Sequence, residues 1–135
     1  MTTLAYMPKL SGRSILIADD DPDGCDLLAV ALRLEGAEVR TAKDATDALD
    51  QLDTGWTPDA MLLDLGMPEV DGYDLLDAIR GREALRRVPA FAVTAYAFQR
   101  DAAKVAASGF AAHITKPYEL NVLIDAVAEA IASRP

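Results

Sequence analysis

The sequence has one cysteine, Cys25, and its hydrophobic runs are short. Because there is no second cysteine, an intrachain disulfide is excluded, and the cysteine content does not support the hypothesis that the protein is secreted. The uncharged stretches fall well short of the length that crosses a bilayer, so no membrane partner is expected. Residues 1–12 lack the apolar core of a signal peptide and predict a short N-terminal arm. These absences favour a cytoplasmic location.

Basic residues are also scarce, since 13 Lys and Arg residues stand against 22 Asp and Glu residues, giving a formal charge of −9. Affinity for the phosphate backbone of nucleic acid comes mainly from Lys and Arg, so nucleic acid is not an expected partner. This charge favours proteins or cations instead. The remaining composition, 51% hydrophobic and 26% charged over 135 residues, is typical of one globular domain, which we assign to residues 13–135.

Short apolar runs alternate with segments of helical periodicity five times along the chain. The predicted strands cover residues 14–18, 37–41, 60–63, 90–93 and 111–115. The predicted helices cover residues 22–36, 45–55, 72–80, 96–108 and a last segment from residue 120. In the first helix, Asp21 is the expected cap and Pro22 the first helical residue. Its larger apolar residues recur at the spacing of one helix face: Leu27, Leu28, Ala31 and Leu34.

This alternation predicts an α/β fold with a five-stranded, parallel, doubly wound sheet and right-handed crossovers. Residues 37–41 alternate apolar and polar side chains, as a half-exposed edge strand does, whereas residues 60–63 are continuously apolar, as a central strand is. Both patterns fit the flavodoxin-like strand order 2-1-3-4-5, in which the first and third strands are neighbours.

Carboxylates directly follow two of the predicted strands. Asp19 and Asp20 come after the first strand, and Asp64 comes after the apolar run of the third. In an open parallel sheet, ligands bind beyond the carboxyl ends of the strands, so these three side chains should converge in one crevice. Clustered carboxylates repel one another, which favours either a raised pKa or a bound hard divalent cation such as Mg²⁺, or Mn²⁺ in its place.

Three further residues are expected at the same edge of the sheet. Thr94 ends the fourth strand, and Lys116 with Pro117 ends the fifth. A hydroxyl donor and an ammonium opposite a carboxylate cluster suit a phosphoryl group. The crevice could therefore accept a phosphoryl group on one of its carboxylates.

Four motifs at these positions together resemble the response-regulator receiver domain of two-component signalling, and the resemblance spans residues 14–132. The motifs are Ile15-Leu16-Ile17-Ala18-Asp19-Asp20-Asp21-Pro22, Leu63-Asp64-Leu65-Gly66-Met67-Pro68 with Asp71-Gly72, Val93-Thr94-Ala95, and Ile114-Thr115-Lys116-Pro117. One such motif alone would be weak evidence for the family, but four motifs in this order and spacing are specific for it.

The resemblance implies a role for each matching residue. Asp64 would be the phosphoacceptor, taking a phosphoryl group from a histidine kinase or a histidine phosphotransfer protein. Asp20 would bind Mg²⁺ directly, with Asp19 beside it acting partly through water, and Asp64 and the backbone carbonyl of Gly66 would complete the metal ligands. The resemblance also implies that the protein is a switch and not an enzyme with turnover. The switch would signal to a downstream protein by direct contact.

The residues that would bind and sense the phosphoryl group also follow from the resemblance. They are Thr94, Ala95 and Lys116, and the peptide bond before Pro117 would be cis. His113 occupies a switch position where Tyr or Phe is more usual, so it is a weak switch, a plain surface residue, or a pH-sensing or ligating group.

Two departures concern the lifetime of the phosphoryl group. Gly66 stands where many receivers carry a polar side chain, and Tyr96 stands at the corresponding position after Thr94. Gly66 cannot orient an attacking water, and Tyr96 could shield the phosphoryl group. We therefore predict slow self-dephosphorylation.

Three alternatives stay open. Gly66 and the string at residues 112–117 look more like the receiver portion of a hybrid histidine kinase, although a standalone receiver is favoured at 135 residues. A phosphohydrolase with an aspartyl nucleophile would need a second Asp where this chain has Gly66. A binding or structural module of the same fold would never be phosphorylated.

Overall fold

The computed structural model describes residues 7–95 and 99–134, within which five strands alternate with five α-helices. The strands are β1 (Ser14–Ala18), β2 (Glu38–Ala42), β3 (Ala60–Asp64), β4 (Ala90–Thr94) and β5 (Ala112–Thr115). The helices are α1 (Pro22–Leu34), α2 (Ala45–Leu52), α3 (Gly72–Arg80), α4 (Gln99–Ala107) and α5 (Leu120–Ala132). A short 3₁₀ turn, Glu83–Leu85, precedes β4.

All strand pairings are parallel, and the order in the sheet is β2-β1-β3-β4-β5. The predicted flavodoxin-like, doubly wound fold is therefore confirmed. Each position of β3 is buried, because this strand lies between two others and is covered on both faces. In contrast, β2 lies at the edge of the sheet and exposes Glu38.

Alternate residues of each strand contribute to two cores, one on each face of the sheet. Ile15 and Ile17 of β1 pack with α1 and α5, whereas Leu16 and Ala18 pack with α2, α3 and α4. The carboxyl ends of the five strands are thus held at one edge, which positions the predicted site. In the described part of the chain, no helix is long and apolar enough to cross a membrane.

The apolar face predicted for α1 is wrong in part. Leu28 is buried, but Leu27 and Leu34 have exposed fractions of 68% and 73%. The helix packs on the sheet through another stripe, formed by Cys25, Leu28, Ala29 and Leu32. The other two leucines of the helix, Leu27 and Leu34, therefore face solvent.

Two helices begin with an aspartate whose side chain caps the first turn. Asp44 and Asp71 accept hydrogen bonds from the backbone N–H groups of Asp47 and Asp74, respectively, which satisfies otherwise unpaired N–H groups of the first turn. Asp21 precedes Pro22 as expected, but its side chain makes no cap hydrogen bond. Glu69, in the segment between β3 and α3, has a positive φ of 66°.

Candidate functional site

The three predicted carboxylates converge beyond the neighbouring ends of β1 and β3, where Ala18 pairs with Leu63. One oxygen from each of Asp19, Asp20 and Asp64 lies within 4.8 Å of the others. Asp19 and Asp64 are buried, whereas Asp20 is exposed at the mouth of the crevice. Oxygen-only donors at this spacing fit a hard divalent cation such as Mg²⁺.

Asp19 is held on both of its carboxylate oxygens. Oδ1 accepts a hydrogen bond from the backbone N–H of Asp21 at 2.9 Å, and Oδ2 accepts one from Lys116 Nζ at 2.8 Å. The same ammonium lies 3.7 Å from Asp64 Oδ2. Lys116 therefore links the two buried carboxylates and offsets part of their mutual repulsion.

Asp64 ends β3 and points into the crevice. Its Oδ1 accepts a hydrogen bond from the backbone N–H of Gly66 at 2.9 Å. The pKa of Asp64 is raised to about 6, chiefly by burial and also by the neighbouring Asp19, although the Gly66 N–H and the Lys116 charge act in the opposite direction. The carboxylate is thus mainly ionised at neutral pH and carries the electron pair that a nucleophile needs.

The ends of β4 and β5 bring Thr94 and Lys116 to the same edge. The backbone N–H of Lys116 donates to the carbonyl of Thr94 at 2.7 Å, and the Lys116–Pro117 peptide bond is cis. Thr94 is only 2% exposed, and Ala95 follows it at the exposed edge. Burial lowers the pKa of Lys116, but its hydrogen bond to Asp19 and the charges of both carboxylates outweigh burial and raise the pKa above its ordinary value.

His113 lies on β5 opposite Ala92, on the sheet face that packs against α2, α3 and α4. The residue is half-buried, and its Nε2 atom is fully buried with no hydrogen-bond partner in the described part of the chain. This placement disfavours a plain surface residue. Tyr96, the second residue with a predicted kinetic role, lies outside the described residues.

Two glycines shape the segment that follows Asp64. Gly66 is exposed, and a Cβ placed on it would lie 3.6 Å from Asp64 Oδ1, an ordinary contact distance. A Cβ on Gly72 would lie 2.6 Å from the backbone carbonyl oxygen of Asp64 and 3.0 Å from Leu65 Cα. The start of α3 therefore presses against the chain directly behind Asp64, and only glycine fits. Sequence reasoning gave Gly72 no such role; its one signal was a glycine directly after the helix cap Asp71.

Known proteins resemble this chain over most of its length. Residues 15–128 match the response regulator receiver domain. A 14.6 kDa uncharacterised protein of Leptolyngbya boryana is 40% identical over 113 residues, which cover 84% of this chain and 86% of that protein. The polar-differentiation response regulator DivK of Brucella ovis is 30% identical over 115 residues, which cover 85% of this chain and 93% of DivK.

A solved structure shows the same fold. A putative response regulator from Chloroflexus aurantiacus J-10-fl has a TM-score of 0.83 at 30% identity, with 89% of this chain and 98% of that chain covered. The chain therefore belongs to the response regulator receiver domain family of two-component signalling.

Proposed function

We propose that Asp64 accepts a phosphoryl group from a phosphohistidine and that this chain then signals by a change of conformation. The observation that carries the proposal is the placement of Asp64, a buried carboxylate that lies 3.7 Å from the Lys116 ammonium and beside Asp19 and Asp20. Receiver domains act as signalling phosphoacceptors in two-component systems. The assignment of the individual residues is our inference.

In the proposed reaction, an oxygen of Asp64 attacks the phosphorus of the donor phosphohistidine. The new oxygen–phosphorus bond forms as the nitrogen–phosphorus bond breaks, and the electron pair of that bond returns to the imidazole, which takes a proton from solvent. Because Gly66 N–H holds Oδ1 of Asp64, the side of Oδ2 is the one that faces Lys116. The Lys116 ammonium then neutralises charge on the phosphoryl oxygens.

Asp19 and Asp20, with Asp64, are the residues that would hold Mg²⁺. A Mg²⁺ held by these residues would supply positive charge opposite the oxygens of the phosphoryl group. Asp20 is exposed and makes a solvent-facing ligand, whereas Asp19 is already engaged by Lys116 and the Asp21 N–H. This difference supports Asp20 as the closer metal ligand and Asp19 as one that acts partly through water. Mn²⁺ has the same preference for oxygen ligands and could replace Mg²⁺.

A docking surface for the phosphodonor lies beside the crevice. Leu27 of α1 and Leu120 of α5 are exposed, and with Pro117 and Tyr118 they line an apolar cavity of about 340 Å³ that reaches Lys116. Exposed apolar patches next to a functional site are typical of protein interfaces. We propose that the histidine kinase or phosphotransfer protein covers this patch during transfer. The downstream protein is not identified by these residues.

The exposure of Leu27, which contradicted the predicted core face of α1, is consistent with this docking role. The standalone form and the cytoplasmic location stay predictions from the sequence, and the proposed chemistry is the same in the receiver portion of a hybrid kinase.

The proposal is tested by incubating the chain with acetyl phosphate and Mg²⁺ and measuring its intact mass. We expect the 14.4 kDa chain to gain one phosphoryl group, and EDTA to abolish the gain. Asp64→Asn should also abolish it, whereas the matched control Asp50→Asn, which removes an exposed carboxylate of α2, should retain it. An unmodified wild-type chain, or equal labelling of wild type and Asp64→Asn, would contradict the proposal.

A further inference from the structure

The strand β2 forms one open edge of the sheet. In a parallel pair, the N–H and C=O groups of one residue point to the same side, and successive residues alternate sides. The Glu38 N–H bonds the carbonyl of Arg13, and the Ala42 carbonyl accepts from the Asp19 N–H, so residues of even number face β1. The backbone groups of Val39, Thr41 and Lys43 therefore face away from the sheet.

Side chains bind three of these outward groups. Arg33 Nη2 of α1 donates to the carbonyl of Val39 at 3.0 Å, and Gln51 Nε2 of α2 donates to the carbonyl of Thr41 at 2.8 Å. The backbone N–H of Lys43 donates to Asp47 Oδ2 at 3.1 Å. The donors and the acceptor come from helices on both faces of the sheet, so the edge is covered from two sides.

The sequence of β2 would otherwise favour strand addition. The segment Glu-Val-Arg-Thr-Ala holds two β-branched residues and no proline, and an unpaired strand edge of this kind is a template for another chain. An added strand needs the outward carbonyls of Val39 and Thr41 as acceptors. Arg33 and Gln51 already donate hydrogen bonds to both carbonyls, so an added strand would have to compete with these two donors.

We propose that Arg33 and Gln51 close the β2 edge against pairing with a second copy of this chain. The closure confines protein contacts to the helices and loops and keeps the edge from assembling copies through their sheets. It does not depend on phosphorylation of Asp64, since none of the three contacts involves the crevice.

The test compares wild type with the double variant Arg33→Ala/Gln51→Ala. We expect the weight-average mass of the double variant, measured by sedimentation equilibrium, to rise above 14.4 kDa as the protein concentration increases. At each concentration, the weight-average mass of wild type should be lower than that of the double variant. Arg40→Ala is the matched control, because it also removes one positive charge from this edge region but its guanidinium lies over the Trp56 ring at 4.3 Å. The control should follow wild type.

Amide hydrogen exchange identifies the surface that associates. In the double variant, the outward backbone amides of Val39 and Thr41 should exchange at least roughly tenfold more slowly in a concentrated sample than in a dilute one. The reason is that an added strand would accept hydrogen bonds from these amides. An unchanged mass curve overturns the proposal, as does a rise in mass without protection of these two amides. The single variants, each losing one contact, provide the same two readouts at smaller amplitude if the double variant does not fold.

Discussion

The ammonium of Lys116 pairs more closely with Asp19 than with Asp64, at 2.8 Å from Asp19 Oδ2 against 3.7 Å from Asp64 Oδ2. Asp64 thus keeps a neighbouring positive charge without a short ion pair. A phosphoryl group on Asp64 would bring its own oxygens towards the same ammonium. These two distances explain how Lys116 can stabilise the carboxylates of the unphosphorylated crevice and still be available to bind the phosphoryl group after transfer.

Asp64→Asn should stabilise the fold, and more so as pH rises. The unfolded carboxyl titrates near its ordinary value of 3.8, but burial keeps the folded one protonated to about 6. Between these values the folded state binds more protons, so the stability of wild type falls as pH rises through the window. We expect the variant to be about 1 to 3 kcal/mol more stable near pH 8 in EDTA, with little difference below pH about 4. Urea unfolding measures the free energy of unfolding of wild type and of the variant at each pH. A difference in stability that does not change with pH would contradict the burial of Asp64.

Thr94→Ala should keep phosphorylation but weaken the conformational response. A hydrogen bond from the buried Thr94 hydroxyl to a charged phosphoryl group contributes about 1.5 to 3 kcal/mol, a large part of the roughly 5.5 kcal/mol that a full population shift requires. His113 is the single histidine, so its imidazole NMR signal reports on β5 without overlap. We expect this signal to move on phosphorylation in wild type and in the control Thr94→Ser, and to move less in Thr94→Ala. An equal shift in all three would remove Thr94 from the switch.

Gly66→Asn should shorten the phosphoryl lifetime. The site accepts a side chain, because a Cβ at this position meets Asp64 Oδ1 at 3.6 Å. An amide there can orient a water towards the phosphoryl group, whereas glycine cannot. Decay of the phosphorylated mass measures the lifetime in wild type, Gly66→Asn and the control Gly66→Ala, which adds bulk without a polar group. A wild-type lifetime of seconds, or equal effects of Ala and Asn, would argue against this role.

Gly72→Ala should destabilise the fold by about 1 to 3 kcal/mol, since the added methyl group meets backbone atoms that cannot rotate away. The clash falls on the Asp64 carbonyl at 2.6 Å, so the variant should also slow phosphorylation from acetyl phosphate. Gly81→Ala is a suitable comparison, because its nearest contact is 3.3 Å and lies at the end of α3. Equal losses of stability in the two variants would mean that the close approach at Gly72 is unimportant.

Much of the fold could be predicted because the strand patterns differ. The alternating residues of β2 and the fully apolar β3 placed these strands at the edge and in the centre, and this order brought Asp19 and Asp64 together. The orientation of α1 could not be read in the same way. Its apolar residues recur at helical spacing on more than one face, and only packing against the sheet decides that Cys25 and Ala29 are buried while Leu27 is exposed.

Contacts between elements distant in sequence were also beyond prediction. Nothing in the chain distinguishes Asp19 from Asp64 as the short partner of Lys116, because the choice depends on where β5 ends relative to β1. The approach of α3 to the residues behind Asp64, which excludes a side chain at Gly72, arises in the same way from packing.

The central claim is that Asp64, and neither Asp19 nor Asp20, carries the phosphoryl group. The most direct measurement is to phosphorylate the chain with acetyl phosphate and Mg²⁺, reduce the acyl phosphate with borohydride to the corresponding alcohol, and map the modified residue by peptide mass spectrometry. The account predicts reduction at residue 64 alone. Reduction at residue 19 or 20, or none in a chain that has gained a phosphoryl group, would contradict it.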